Sequence, residues 1–493
     1  MKQTIIIIYF IFSAINSTKS QNLTVDFGTK IKTGINNGVA SANLCWLMDS
    51  DLPSPNATQS MRTALTELGV KSLRFPYGAL AENYLWDTAP FDSTKSIGNL
   101  NPKVASTSKN PGNWTWATNP DGTFIKAMDF DEYMSICQEL NIAPLVVVNI
   151  QSSEYTGGPT AQDLIDSAVE WIKYANDKNY NVAYWQIGNE VEHVNSRVFT
   201  KDEYISHYAA MVTAMKAEDS TIKVGPGILS SKPYFNTIID TYPNLIDFVS
   251  AHQYMYSFTE TCATYDLWKE NTESYIPNIT GMQTAVLNSS KPTMEIVVTE
   301  TGVTPAKDGF GSINNTYKAL WWFEVLMNQI QLSNVAYSFF WGTHSPWNSG
   351  ATPVDDASKD VGLLLRVDDN SRKPTAEIVK LVNENILENL VQTTQSVNYI
   401  RTFASISNDD TKYCIFLMNK SNVTQNVVVQ LNQLPSNTTT FSRKEFKGTT
   451  YDDISPTIEN VADVNVSLDD TITITLEPLS VTILNNKDTC DCN

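Results

Sequence analysis

A parallel (β/α)₈ TIM barrel followed by an antiparallel β-sandwich is the α/β fold class that the sequence predicts, on three observations. Between Asn43 and Trp347, short β-branched or apolar runs alternate with longer amphipathic stretches. Two of those runs end in a glutamate. After Asn398 the texture changes to short alternating strands rich in Thr, Val, Ile and Asn, and all 11 Trp and all 4 His lie before residue 348.

The elements follow in order. Lys2, the apolar run Ile5 to Ile15 and the polar exit Thr18-Lys19-Ser20 read as a secretory signal peptide over residues 1–20, cleaved near Ser20, so the mature chain is expected to be secreted. The run is too short to span a bilayer, which needs about 20 apolar residues. Residues 21–40 form an N-terminal strand segment, Leu23 to Thr33, that can join the sandwich. The barrel is expected over 41–385. Its strands are a run near Ala42 to Trp46, then Ser72 to Pro76, Ala143 to Ile150, Ala183 to Ile187, Ile222 to Gly225, Phe248 to Tyr254, Glu295 to Thr299 and Ala336 to Trp341. Helices are expected between them at Ser60 to Leu68, Phe130 to Leu140, Leu164 to Asp177, Lys201 to Lys216 and Thr316 to Ile330, from apolar residues at helical spacing. Repeated β-then-α units make a parallel sheet, and eight of them close as a barrel. An open doubly wound sheet is the alternative, but no Gly-rich phosphate loop follows the first strand.

The domain boundary falls near Lys380 to Gln395. From there, Tyr399 to Ile406, Lys412 to Asn419, Thr424 to Leu431, Val461 to Leu468, Thr471 to Leu476 and Ser480 to Asn485 predict a β-sandwich over 386–488, with a tail at 489–493.

Net charge −19 and a pI near 4.6 argue against nucleic acid or an anionic membrane as partners, because an acidic surface repels phosphate. Six cysteines in 493 residues do not make a disulfide scaffold. Cys137 and Cys414 read as buried thiols, and Cys490 and Cys492 are poorly placed to bond each other. Acceptors of the form Asn-x-Ser/Thr at Asn22, Asn56, Asn113, Asn278, Asn288, Asn314, Asn419, Asn422, Asn437 and Asn465 are expected on surface loops if they carry glycans.

The chemistry is carried by carboxylates. Tyr184-Trp-Gln-Ile-Gly-Asn-Glu190 is an apolar strand that ends in a Gly turn and presents an amide and a carboxylate together, and Glu295-Ile-Val-Val-Thr-Glu300 ends in a second carboxylate. In a barrel both would face the mouth at the carboxyl ends of the strands. Cleaving a glycosidic bond with retention needs one carboxylic acid and one carboxylate about 5 Å apart. Taken alone, a strand-end Glu is as readily a surface salt-bridge residue; two of them facing one mouth are not.

Trp185-Gln-Ile-Gly-Asn-Glu190 and Val298-Thr-Glu300-Thr-Gly302 resemble the acid/base and nucleophile motifs of glycoside hydrolase clan A, the retaining barrel glycosidases. Leu73-Arg-Phe-Pro-Tyr-Gly78 with Tyr84-Leu-Trp86 is similar to the second-strand region of the α-L-arabinofuranosidases in that clan. Phe248-Val-Ser-Ala-His-Gln-Tyr254 is similar to the clan's sixth strand, and Leu476-Glu-Pro-Leu-Ser-Val-Thr-Ile-Leu484 to the last strand of the attached sandwich. Where those enzymes usually show Pro-Gly-Gly, this chain has Pro76-Tyr77-Gly78.

The resemblance implies Glu190 as acid/base and Glu300 as nucleophile, with no cofactor and no metal. Asn189 is expected to bind the substrate 2-hydroxyl, Arg74 to keep Glu300 ionised, Tyr254 to orient Glu300 and His252 to hydrogen-bond at the base of the site. Asn149 joins them as a substrate-binding candidate. Trp341, His344 and Trp347 are candidate sugar platforms, and Trp86, Trp114 and Trp116 weaker ones. The implied activity is hydrolysis of a polysaccharide or oligosaccharide, with an α-L-arabinofuranoside as one substrate and a β-glycoside of agarase, glucanase, xylanase or glucuronidase type as the alternative. A catalytically inactive carbohydrate-binding protein on the same fold is the rival from another class. A metal-dependent hydrolase is disfavoured because no His-x-His pair lies on a strand, and Asp355-Asp356 and Asp409-Asp410 read as solvated turns.

Overall fold

The computed structural model describes residues 21–35, 39–51, 59–86, 126–155, 158–193, 198–255, 264–271, 276–303, 314–344, 364–366, 369–394, 396–397, 399–434 and 438–486. The expected leader, the cysteine tail, Trp114, Trp116, Trp347, Asp355-Asp356, Asn56, Asn113 and Asn437 lie outside the described residues.

The chain enters through β1 (Gln21–Lys32) and then builds a parallel sheet of eight strands interleaved with helices. In order these are β2 (Ala40–Asn43), α1 (Met61–Leu68), β3 (Ser72–Phe75), α2 (Phe130–Leu140), β4 (Ala143–Val148), α3 (Ala161–Asp177), β5 (Tyr184–Ile187), α4 (Lys201–Glu218), β6 (Val224–Pro226), α5 (Lys232–Thr241), β7 (Phe248–Met255), α6 (Tyr265–Glu270), α7 (Pro277–Leu287), β8 (Glu295–Val303), α8 (Thr316–Gln331), β9 (Val335–Phe340) and α9 (Pro374–Asn385). The ladders run β6-β5-β4-β3-β2-β9-β8-β7. The remaining seam is drawn together by Asp247 N–H to Val224 O at 2.8 Å, His252 N–H to Leu229 O at 2.5 Å, and the Ser250 hydroxyl to Pro226 O and Ile228 O at 2.7 and 2.8 Å. The inside is packed rather than hollow: Leu145, Val147, Tyr184, Phe248, Val297, Tyr337 and Phe339 fill it.

Local chemistry sets the helix ends. Ser60, Asp129, Thr160, Thr200 and Asn315 each accept a hydrogen bond from a backbone N–H in the first turn of α1, α2, α3, α4 and α8, and α3 and α4 carry full capping boxes with Asp163 and Glu203. Gly69 at φ +64° closes α1, in the left-handed region that glycine adopts without cost.

The second layer system comprises β10 (Asn389–Thr393), β11 (Ser396–Val397), β12 (Ile400–Ile406), β13 (Tyr413–Asn419), β14 (Gln425–Asn432), β15 (Thr440–Lys447), β16 (Thr457–Asn465), β17 (Thr471–Leu476) and β18 (Ser480–Asn486). The path is β16-β15-β18-β13-β12-β10-β1-β14-β17, with β11 on β12. It is not wholly antiparallel. β1 pairs antiparallel with β10 but parallel with β14, from Gln21 opposite Val427 to Asp26 opposite Asn432. No hairpin ties β1 to β14, so nothing forces the antiparallel sense. β10 and β15 have no counterpart among the expected strands.

Strands β12, β13 and β18 are buried on both faces. Ile415, Leu417 and Leu484 face Leu23, Val25, Val427, Val429 and Ile474 inside the sandwich. Phe403, Phe416, Met418 and Ile483 belong to the barrel's core, where Phe403 and Phe416 lie with ring centroids 5.7 and 6.0 Å from Phe323 of α8. The same junction buries an ion cluster: Glu324 of α8 pairs with Arg401 and, at 3.4 Å, with Lys420, and accepts from Trp268 Nε1 at 2.6 Å.

Two glycan acceptors depart from the expected surface placement. Asn314 is buried and ties to the first turn of α9, donating to Thr375 Oγ1 and accepting from Thr375 N–H, and Asn419 is buried and donates to Val423 O and Glu477 O. Asn22, Asn288, Asn422 and Asn465 are exposed. Cys45, Cys137 and Cys414 are buried free thiols. Among the described residues no helix is long and apolar enough to cross a membrane.

Candidate active site

The site grows out of two strand ends. After β5 the chain turns through Gly188 at φ +78° and brings Glu190 into the left-handed region at φ +46°. A Cβ on Gly188 would lie 2.7 Å from Ile150 Cγ2, so only glycine passes there. A non-glycine residue at positive φ costs of order 1–3 kcal/mol and is held only where its surroundings dictate it. At β8, the ladders to both neighbours shift register around Thr299, between Ala251 and His252 on one side and between Val298 and Thr301 on the other. Such an irregularity re-aims a side chain at a barrel rim, and here the side chain is Glu300.

The carboxyls meet. One oxygen each of Glu190 and Glu300 and one nitrogen of His252 lie within 4.8 Å of one another. His252 Nδ1 is 2.9 Å from Glu190 Oε1 and 3.5 Å from Glu300 Oε2, and its Nε2 is 3.0 Å from Thr299 Oγ1. Arg74 Nη1 donates to Glu300 Oε1 at 2.9 Å and to Asn43 Oδ1 at 2.8 Å, Nη2 donates to Asn189 Oδ1 at 2.6 Å, and Nε to Gln186 Oε1 at 3.2 Å. Tyr254 donates its hydroxyl to Glu300 Oε2 at 2.6 Å.

These partners divide the two acids. Burial pushes both carboxyls above their ordinary range. At Glu300 it is opposed by Arg74 in direct contact and by the Tyr254 hydroxyl. At Glu190 only His193 and Arg74 oppose it, through space. These contacts favour the ionised form of Glu300 over that of Glu190. Burial also lowers the His252 pKa to about 4, so the imidazole is neutral at mildly acidic pH. With Glu190 protonated, its hydroxyl donates to Nδ1 and Nε2–H donates to Thr299. Burial and the Glu300 carboxylate push the Tyr254 pKa well up, which keeps its hydroxyl a donor.

Glu190, His252 and Glu300 are metal-ligand types, but Arg74 already neutralises Glu300 and would lie against any cation placed among them. The set is built to hold protons. This proximity is nearer the separation of about 5 Å at which one carboxylate attacks directly than the about 6.5–9.5 Å that positions a water for inversion.

Gly78 and Trp341 form the wall: a Cβ on Gly78 would lie 2.5 Å from Glu300 Oε1 and 2.9 Å from Trp341 Cζ3. Tyr77, fully buried at φ +115°, packs on Trp341 with centroids 4.6 Å apart and donates to His344 O. The site thus collects Arg74, Asn189, Glu190, His252, Tyr254, Glu300 and Trp341.

Three candidates fall elsewhere. Asn149 is buried, with Oδ1 accepting from Ser152 N–H and hydroxyl, so its amide is engaged in a turn instead of open to a sugar. His344 is no platform, because it is 2% exposed and its ring is held between Asp49 and Arg366 O. Trp86 stacks on Trp171 at 5.7 Å and bonds Ser167, as a packing residue. Sequence reasoning missed Asn43, Gln186, Thr299 and Glu82; Asn43 and Gln186 lie on barrel strands and their polarity was the available signal, whereas Glu82 carries none. A cavity of about 730 Å³ lined by Lys71, Asn141, Asn181 and Tyr337 opens at the strands' N-terminal ends, away from these groups.

Fold and site together define the class: a closed β/α barrel whose fourth and seventh strands present paired carboxyls to one mouth. The comparisons give the nearer kin. The α-L-arabinofuranosidase 1 domain family matches residues 64–273. The chain is 24% identical over 275 residues to a probable α-L-arabinofuranosidase C of Aspergillus fumigatus, covering 49% of this chain and 46% of that protein. It therefore spans about half the length of this curated relative. In fold, it is similar to the α-L-arabinofuranosidase of Thermotoga maritima in its arabinose complex, with TM-score 0.70 and 17% identity over 95% of this chain and 100% of that one. It is also similar to a family 51 α-L-arabinofuranosidase of Bifidobacterium longum, with TM-score 0.71 and 13% identity over 94% of this chain and 99% of that one. Over residues 64–273 the chain is thus similar to the α-L-arabinofuranosidase 1 domain family, and over nearly its whole length it shares the fold of solved α-L-arabinofuranosidases.

Proposed function

We propose that the chain is a secreted retaining glycoside hydrolase that cleaves α-L-arabinofuranosides of polysaccharides or oligosaccharides by double displacement. The observation that carries this reading is the apposition of Glu190 and Glu300 within 4.8 Å of His252 and of each other, with Arg74 and Tyr254 on Glu300 alone.

The steps follow from the proton bookkeeping. Glu300, ionised, attacks the anomeric carbon while Glu190 gives its proton to the departing oxygen, and a glycosyl-enzyme ester forms. Glu190, now a carboxylate, takes a proton from water, which attacks the same carbon and releases Glu300. Asn189, fixed by Arg74 at 2.6 Å, is placed to hydrogen-bond the 2-hydroxyl, a contact that tightens as positive charge develops on the sugar. Trp341 offers its face to the ring. The acidic surface supports a carbohydrate over nucleic acid as partner.

A β-glycosidase of the same clan is the second reading, favoured by one observation: Tyr77 packs on Trp341 where the resembling arabinofuranosidase motif has glycine. The two are separated by assaying aryl α-L-arabinofuranosides against aryl β-glycosides. Glu300→Gly is expected to lose at least about 10⁴-fold in kcat and to regain turnover with azide as an inverted glycosyl azide. Glu190→Ala with azide is expected to give an azide of retained configuration. Full activity in either variant would refute the assignment.

A further inference from the structure

Resting on that reading, we infer that Glu82 is a positioning residue whose carboxylate fixes the acid/base turn, holding the Asn189–Glu190 segment against the end of β4. Glu82 lies in the short 3-10 turn Ala79–Asn83 that follows β3 and is 1% exposed. Its Oε1 accepts Asn189 N–H at 2.9 Å, and its Oε2 accepts Ile150 N–H at 2.8 Å and Gln151 N–H at 2.9 Å. The Gln151 amide closes the bracket, donating to Glu82 Oε1 at 3.3 Å and to Asn189 O at 3.0 Å. One carboxylate therefore gathers the backbone of two strand ends, and the peptide it grips precedes Glu190 at φ +46°.

This geometry makes Glu82 more than a filler. The three N–H groups converge from strand ends that no longer pair with each other, and without an acceptor each would be a buried donor costing about 1–3 kcal/mol. The left-handed turn needs an external hold, since nothing in the dipeptide Asn189-Glu190 favours it. Gly188 supplies the other half: a Cβ there would lie 3.2 Å from Glu82 Oε1. Burial raises the Glu82 pKa, and the Gln151, Ile150 and Asn189 N–H groups oppose it. Glu82 bonds neither Glu300 nor Arg74 and reaches the site through the backbone of Asn189, the residue before the acid.

Glu82→Gln is the direct test, because it keeps the shape but turns an amide NH₂ toward donors. The comparison is between a phenyl glycoside, whose departure needs a proton, and a 2,4-dinitrophenyl glycoside, whose departure does not. Glu82→Gln is expected to lower kcat/KM, which reports the glycosylation step, by about 100-fold on the phenyl substrate and by less than about 3-fold on the dinitrophenyl substrate, since a general acid contributes about 10²–10⁴. Gln151→Ala is expected to show the same asymmetry more weakly, and carries the comparison if Glu82→Gln does not fold. Equal losses on both substrates, or none on either, would overturn the inference. Amide hydrogen exchange separates the two readings. Faster exchange at Asn189 in the variant supports the bracket even if wild type cleaves no glycoside, whereas unchanged exchange overturns it.

Discussion

Arg74 is the residue on which the site's electrostatics turn, because one buried guanidinium is divided among Glu300, Asn43, Asn189 and Gln186. Its five donors in a rigid fork are what permit that sharing, and a lysine could not replace it. Tyr254 supplies the other hydrogen bond to Glu300. Its deletion in Tyr254→Phe is expected to lower kcat/KM by about 10- to 100-fold, the worth of a hydrogen bond to a charged group at about 1.5–3 kcal/mol. Steady-state assay on an aryl glycoside checks this, and an unchanged kcat/KM would show that Glu300 needs no orientation from that side. Tyr77 shows the limit of reading residues from motif alone: its place beside Gly78 was visible, but its positive φ and its packing on Trp341 were not.

The strands and helices were legible because their periodicities are local. Phe130–Leu140 and Thr471–Leu476 fall where the pattern puts them, and the strand ends carrying Glu190 and Glu300 were visible as apolar runs stopped by Gly, Asn or Thr. What stayed hidden was settled by partners far along the chain. β10 and β15 are short of apolar residues and are strands because of their neighbours, and Glu82 matters only through backbone groups about 70 and 107 positions away. Charged residues at the barrel–sandwich junction were equally silent. Glu324 of α8 is 2% exposed, sits between Arg401 and Lys420, and Lys420 lies 4.4 Å from the Trp268 ring centroid. Removing one member of a buried cluster leaves uncompensated charge, so Glu324→Ala is expected to destabilise by about 3–5 kcal/mol. Urea unfolding measures it, and a loss under about 1 kcal/mol would mean that the junction contributes little.

At the scale of the whole molecule, one buried amine runs against the general balance. Lys318 on α8 is fully buried, its Nζ has no hydrogen-bond partner among the described residues, and burial lowers its pKa to about 7, with Lys373 adding to the effect. The unfolded chain holds this proton up to about pH 10.5, the folded one only up to about 7. Folding is thus penalised below pH 7, and the penalty fades as pH rises from 7 to 10.5. Lys318→Met, similar in volume, is expected to raise the thermal midpoint at pH 6 by several degrees and by much less at pH 10. Scanning fluorimetry at the two pH values decides it: an equal gain at both would point to packing instead of charge.

The first strand has a further consequence for how the molecule comes into being on the ribosome. β1 is translated before any of the barrel, yet its partners Val391 and Leu431 emerge more than 360 residues later. During that interval an apolar ribbon carrying Leu23, Val25 and Phe27 has no ladder to join. The barrel can condense behind it, but the C-terminal sheets stay incomplete until the nascent chain bends back on itself. Completion of this fold thus waits on its C-terminal strands, and a strand made ahead of the whole barrel is among the last to find its place.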